Sequence, residues 1–452
     1  MGTVQPSPVV TVTDSYLISS PWTPFGLSDD PFFQAALDPA DSSRSTHPIS
    51  LFVGRTAELR LIGSQVVGAS SSRAILTGGP GVGKTSLVNR IKASLAGQGV
   101  LTHAAPVRVV GGMTPRQFEA EVLRVLLQMR AGEQAATSSI PHAPATSSRA
   151  SEQAEDDAFW RRVGRLIMGE DSVAGGVSLG GFGAQSQAVR IPAEVQHTAL
   201  TTEVTEAFRR LSRNGTRRLL LHVNNLENLS TTAAQAAANL MQQVRDTLLA
   251  DFAHWVFVGA TGIERTVFGG STQVSSIIPL TVHLPPLAPA DVADLLRRRY
   301  AHLRSGLRFT PPVDPQVAAA LYERFRGDLR GFLNLLALAV QQHAISAPGR
   351  TVSAGDIIAH VAARYQASVV PHRLSAEDFT HLVRVVGGQP WPTEFRVTDV
   401  AARAAGALTQ AGASKAVKRL LLSGVIAEHR RDGRSVYYQV ADGAVSVALA
   451  QT

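Results

Sequence analysis

The chain has 452 residues, 44% of them hydrophobic and 17% charged, the composition of an ordinary soluble globular protein long enough for two to four domains. It has no unbroken apolar run near the roughly 18 residues of a membrane span and no basic, then apolar, leader. It also has no cysteine for disulfides or thiolate metal sites, so the expectation is a cytoplasmic protein. A net charge of +8 and a pI near 10.2 favour a polyanionic partner, most simply nucleic acid, although solubility alone accounts for such a charge.

In chain order, residues 1–50 are rich in Pro, Ser, Thr and Asp, with the aromatics Trp22, Phe25, Phe32 and Phe33. They read as an extended, partly disordered arm that clings to a folded body through those aromatics. An α/β unit is expected over 51–286. It opens with a helix near Arg55, with Leu59, Leu61, Ile62 and Val66 along it. Arg73–Thr77 reads as a short buried strand, and Ser86–Leu95 as a helix with Leu87, Ile91 and Leu95 on one face. Between them lies Gly78-Gly79-Pro80-Gly81-Val82-Gly83-Lys84-Thr85-Ser86, which fits G-x-x-x-x-G-K-[ST]. Glycines let the backbone curl so that successive N–H groups face phosphate oxygens. Lys84 then reaches the β- and γ-phosphates, Thr85 faces Mg²⁺, and the helix N-terminus favours the anion. The stretch predicts binding of a nucleoside triphosphate.

A second strand is expected at His103–Val110 and an amphipathic helix at Thr114–Met129. Residues 131–155, almost without apolar anchors, read as a disordered loop, and a short helix follows near Phe159–Met168. Residues 172–191 suggest a glycine-rich hairpin insertion turning at Gly180-Gly181, either a contact surface or an ornament packed on its own domain. The apolar strand at Arg218–Val223 runs into Asn224 and Asn225. In P-loop ATPases these two positions carry an Asp that holds Mg²⁺ and often a Glu that positions water. Asparagine is a neutral, weaker partner for a hard cation and takes no proton from water. Glu227 either compensates by turning inward or remains a solvated loop acid. The strand His254–Ala260 ends at Thr261, a candidate sensor of the γ-phosphate, and a last strand is expected at Leu280–Leu284.

From 287 to 368 the pattern is helical, with Arg330 at the start of a helix, placed either to fold over a γ-phosphate or to pair with Asp328. Residues 372–452 read as three helices and a hairpin turning at Asp432-Gly433, a winged helix-turn-helix. Ser414, Lys415, Lys418 and Arg419 lie on its groove-facing side, and Arg430, Arg431 and Arg434 at the wing tip suit phosphate or minor-groove contacts. The charge from 372 onward, ten Lys/Arg minus seven Asp/Glu, is +3, and winged helices also serve as protein-contact modules.

In this order the chain resembles an AAA+ ATPase of the initiator clade, the origin-recognition and archaeal replication-initiator ATPases. The resemblance covers about residues 50–445. It rests on Phe52-Val-Gly-Arg ahead of Glu58-Leu59, the Walker A loop, the Walker B strand, a sensor strand, Gly327-Asp-Leu-Arg330 in a helical lid, and the C-terminal winged helix. It implies ATP with Mg²⁺ between the α/β domain and the lid, Thr261 and Arg330 as first and second sensors, and self-association through an arginine finger, for which Arg265 is the candidate. Asn224 and Asn225 depart from the family's acidic Walker B. The expected function is ATP-controlled DNA binding and oligomerisation with slow or absent hydrolysis. The alternative is a signalling, defence or transposon-targeting scaffold, with the winged helix or the N-terminal arm binding a protein partner. An active motor would need Glu227 to rescue hydrolysis.

Overall fold

Short apolar runs that are buried on both faces make parallel strands, and three of the six strands of the main sheet follow from such runs. In the computed structural model, residues 20–38, 47–138, 147–168, 197–213, 215–224, 226, 231–325, 327–364, 375–386, 394–403, 408–433 and 435–449 are described. The chain divides into two units. One comprises residues 35–286; the other runs from residue 287 onward and includes the segment that ends at Gln34.

The first unit carries α1 (Thr56–Gly68), β1 (Ser72–Gly78), α2 (Lys84–Ala96), β2 (Leu101–Thr102), β3 (Val107–Arg108), α3 (Pro115–Ser138), α4 (Ser147–Met168), α5 (His197–Leu211), β4 (Leu219–Asn224), α6 (Thr231–Gln243), β5 (Ala253–Gly259) and β6 (Leu280–Leu284). The sheet is parallel, in the order β2-β4-β5-β1-β6, with β3 also paired to β4. Alternate residues point to opposite faces. Ile75, Leu221, Trp255 and Phe257 face α3, α4, α5 and α6, while Leu76, Leu220, Val256 and Val282 face α1 and α2. All seven residues of β5 are buried, which is why its sequence does not alternate.

Three expectations change here. The single strand at 103–110 is two short strands, because residues 103–106 turn away to cover α2, where Lys92 donates to the carbonyls of His103 (2.6 Å) and Ala104 (3.4 Å). The loop at 131–155 is helical wherever described, since α3 continues to Ser138 and α4 begins at Ser147. Apolar anchors are replaced there by charge pairs. Arg130 reaches Asp156 at 2.6 Å, and Glu133 binds Arg217 at 2.6 Å as well as Arg213. The helix α5 was not anticipated, although Leu200, Val204, Ala207 and Leu211 are buried at helical spacing. The hairpin expected at 172–191 lies outside the described residues.

The second unit contains α7 (Pro289–Leu303), α8 (Pro315–Tyr322), α9 (Leu329–Ser346) and α10 (Ala354–Arg364). Then come α11 (Ala376–Val386), α12 (Val397–Arg403), α13 (Gln410–Leu422), the antiparallel hairpin β7 (Ile426–Asp432) and β8 (Ser435–Val440), and an unanticipated α14 (Gly443–Leu449). Phe395, Val400, Val417, Val425, Val440 and Val445 share one core. Position 443 requires glycine by close approach, because a Cβ there would lie 2.6 Å from the Phe325 ring. Of the N-terminal arm, Trp22, Phe25, Phe32 and Phe33 are buried within this unit.

Beneath the main sheet lie basic groups that burial keeps neutral. His254, bonded through Nδ1 to Ser72 Oγ at 2.8 Å, is pushed down to about 4 by burial, then by Arg218 and Arg73. His103 is likewise pushed to about 4 by burial, then by Lys92 and Arg124. The unfolded chain takes up these protons near pH 6.5 and the folded chain only near 4. The stability they contribute is therefore present above 6.5 and lost as pH falls towards 4, at a limiting slope of about 1.4 kcal/mol per pH unit per group. Denaturation followed by tryptophan fluorescence from pH 7 to 5 should show this loss, and His254→Asn should reduce the slope by about 1 kcal/mol per pH unit. An unchanged slope in the variant would refute this account.

Candidate functional site

Only residues 79–83 connect the buried end of β1 to the first turn of α2, so the backbone must reverse within one short loop. Gly81 and Gly83 do this with left-handed φ values of 76° and 92°, and Gly83 caps α2. Lys84 is buried, and its ammonium donates to the carbonyls of Gly78 (3.1 Å) and Gly79 (2.9 Å). The side chain is thereby folded back over the loop. Its charge and the helix N-terminus converge on one place, an arrangement that fits a phosphate group. Thr85 and Ser86 follow in the first turn of α2.

Two supports of this loop act through contacts that the sequence does not mark. Arg55 caps α1 in a left-handed conformation (φ 61°), and its guanidinium donates to Val82 O at 3.4 Å and to Pro285 O. The same group lies 3.5 Å from Glu58. The second support is Leu37, whose N–H donates to Ser86 Oγ at 3.3 Å and whose carbonyl accepts from Asn89 Nδ2 at 2.8 Å. No spacing rule marks either contact, since each joins residues far apart in sequence.

β4 does not lie directly beside β1, because β5 is inserted between them. Both strands nevertheless end at the same carboxyl edge as the loop. Thr77 is in register with Gly259, and Val223 with Phe257. Ligands bind at this edge of open α/β sheets. Asn224 closes β4 with a buried Oδ1 that has no hydrogen-bond partner among the described residues. An orphaned carbonyl oxygen at this edge fits an oxygen-ligated hard cation such as Mg²⁺, but it brings no negative charge. Thr261, just beyond β5, is exposed, and Arg265 is 85% exposed with Glu264 at 3.9 Å. Asn225 and Glu227 lie outside the described residues.

Arg330 is the second residue of α9 and is exposed. The proposed pairing with Asp328 does not form, because the Asp328 carboxylate caps the helix by accepting from Gly331 N at 2.9 Å.

In the C-terminal part, Ser414 is half-buried and Lys415 and Lys418 are exposed on α13. Arg419 turns from this set to bind the buried Asp378 on α11 through both ends of its guanidinium, which fixes α13 against α11. Arg430 reaches Glu394 at 2.9 Å and stacks on Tyr437 at 3.8 Å, while Arg431 pairs with Glu428. These carboxylates hold both arginines above their ordinary range, by hydrogen bond first. Arg434 lies outside the described residues.

Residues 51–251 match the family model described as the AAA ATPase domain, a stretch that includes the glycine-rich loop and Lys84. No curated protein matches the chain. Among solved structures, it is similar to the ORC1 protein of Aeropyrum pernix in complex with DNA, with 17% identity over 91% of this chain and 94% of that one and a TM-score of 0.40. The ORC2 protein of the same organism, in ADPNP–ADP complexes, is 13% identical over 93% and 97%, with a TM-score of 0.45. The CDC6P protein of Pyrobaculum aerophilum is 14% identical over 94% and 98%, with a TM-score of 0.40.

Lys84→Ala should weaken binding of ATP–Mg²⁺ at least about tenfold, by loss of a charge-assisted contact, while leaving thermal unfolding without nucleotide nearly unchanged. Calorimetric titration and a melting curve test both parts. Undiminished affinity would remove Lys84 from the site.

Proposed function

We propose that this chain is a nucleotide switch that binds ATP with Mg²⁺ and couples nucleotide state to DNA binding or self-association, with slow or absent hydrolysis. The observation that carries the reading is a complete phosphate loop, with Lys84 folded over it, facing a strand that ends in the neutral Asn224. Bound Mg²⁺ would neutralise phosphate charge, with Thr85 and Asn224 as its candidate oxygen partners. Residues 287–368 act as the lid, with Arg330 as the cation that senses the γ-phosphate and Thr261 as the polar sensor. Arg265, exposed, is the candidate finger offered to a neighbouring copy. Residues 372–452 act as a winged helix that places Ser414, Lys415 and Lys418 on DNA. Coupling requires ATP to favour one lid arrangement by about 1–3 kcal/mol.

A second reading is favoured by one specific observation. Arg419, Arg430 and Arg431 are exposed but already carry carboxylate partners, which leaves Lys415 and Lys418 as the exposed cations of this set without a carboxylate partner among the described residues. A module so neutralised suits a protein partner in a scaffold of the signalling or transposon-targeting kind.

DNA binding without nucleotide, with ADP and with ATP–Mg²⁺, each at two salt concentrations, separates the two. The switch reading expects ATP to tighten binding, Lys84→Ala to abolish the gain, and Lys415→Ala with Lys418→Ala to lower the log–log salt slope by about 1–2. DNA ignored in every state would favour the protein partner. A separate outcome concerns hydrolysis. The native chain should turn over ATP far more slowly than about 1 per second, and Asn224→Asp with Asn225→Glu should speed it at least about tenfold. Native turnover near that rate that collapses in Glu227→Gln would make the protein a motor instead.

A further inference from the structure

The N-terminal segment is not an appendage of one domain. Residues 20–33 are built into the helical unit. Phe25 O accepts from Thr310 N (3.1 Å), Gly26 O from Ser305 N (2.9 Å), and Ser28 N donates to Leu303 O (2.8 Å). Phe32 meets Tyr300 edge-on at 6.3 Å. Arg299 of α7, 5% exposed, lies 3.7 Å from the Phe33 ring and donates to the carbonyls of Pro31 (3.0 Å) and Phe33 (2.8 Å). A buried guanidinium that caps two carbonyls of an otherwise irregular segment fixes that segment.

Four residues on, the chain is fixed again, this time in the nucleotide unit. Leu37 is buried and holds Ser86 and Asn89 on α2 through its N–H and its carbonyl. The backbone N–H of Asp38 then donates to His47 O (2.8 Å), and Ile49 and Leu51 are buried. Between the two anchors only Gln34, Ala35 and Ala36 are exposed. Four residues of fully extended chain span at most about 14 Å. While both anchors hold, the Phe33 and Leu37 sites are confined within that distance, whatever the nucleotide state.

We propose that residues 20–38 form a covalent strap that couples α7 of the lid to the phosphate-loop helix α2, so that ordering α2 by nucleotide also orders the lid. This rests on the nucleotide reading above. Ser86 follows Lys84 and Thr85 directly, so a phosphate that settles the first turn of α2 also settles the hydroxyl that Leu37 holds.

The test lengthens the strap without removing either anchor, by inserting about ten Gly/Ser residues between Gln34 and Ala35, a flexible coil. Amide hydrogen exchange is then followed with and without a non-hydrolysable ATP analogue and Mg²⁺. Unchanged exchange of residues 20–33 in the nucleotide-free variant establishes that the anchors are intact. In the native chain, nucleotide should slow exchange in both 84–96 and 289–303 by about tenfold; in the insertion variant the first effect should stay and the second fall below about threefold. Asn89→Ala, which removes one strap contact without altering length, should give an intermediate loss. Equal slowing of 289–303 in native and inserted chains overturns the proposal, as does native slowing confined to 84–96. If nucleotide leaves 84–96 unaffected in the native chain, the nucleotide reading fails and the strap proposal falls with it.

Discussion

The reversal of the backbone between β1 and α2 is the constraint on which the rest depends. A strand that ends in mid-sheet must hand its chain to a helix within residues 79–83. The only conformations that allow it point several N–H groups at one place. β5 and β6 flank β1 and hold the loop on both sides, and Arg55 ties its underside to Pro285. A left-handed arginine is an expensive cap, since L-residues avoid positive φ by roughly 1–2 kcal/mol. The cost is offset by a guanidinium that reaches two carbonyls and a carboxylate from that one position.

Charge in this unit is distributed unevenly. The carboxyl edge of the sheet carries Lys84 opposite a neutral Asn224, and the interior beneath it carries Lys92, brought down to about 7 by burial, beside His222, whose ring is fully buried. Among the described residues, Asp156 and Glu133 pair with the arginines that join α3, α4 and α5.

The three central strands and the loop were legible in the sequence because each is encoded locally. Apolar runs at 73–77, 219–223 and 254–259 admit little else, and the glycine spacing at 78–83 has one mechanical use. The helices at 131–138 and 147–155 were not legible, because their stabilisation is a set of ion pairs between residues about 25 to 80 apart, such as Arg130 with Asp156 and Glu133 with Arg213. Alanine and glutamine read as low complexity unless those partners are known. At the C-terminal basic set, residue type was legible and availability was not. Arg419 sits four residues from Lys415 on α13, but its half-exposed guanidinium is already bound by the buried Asp378. The orphaned oxygen of Asn224 is a property of its surroundings and leaves no trace in the residue's own neighbours in sequence.

The burial of Trp22, Phe25, Leu27, Phe32 and Phe33 changes where this molecule can be cut. Divided by pattern, the chain would be trimmed at residue 51, where recognisable motifs begin. The helical unit would then lose five large apolar side chains and the carbonyls that Arg299 caps, leaving an open trough lined by apolar side chains such as Tyr300. Such a surface drives association. Fragments of this protein that behave as soluble units should therefore keep the segment from residue 20 onward, and a helical fragment lacking it would report on its own aggregation rather than on its partners.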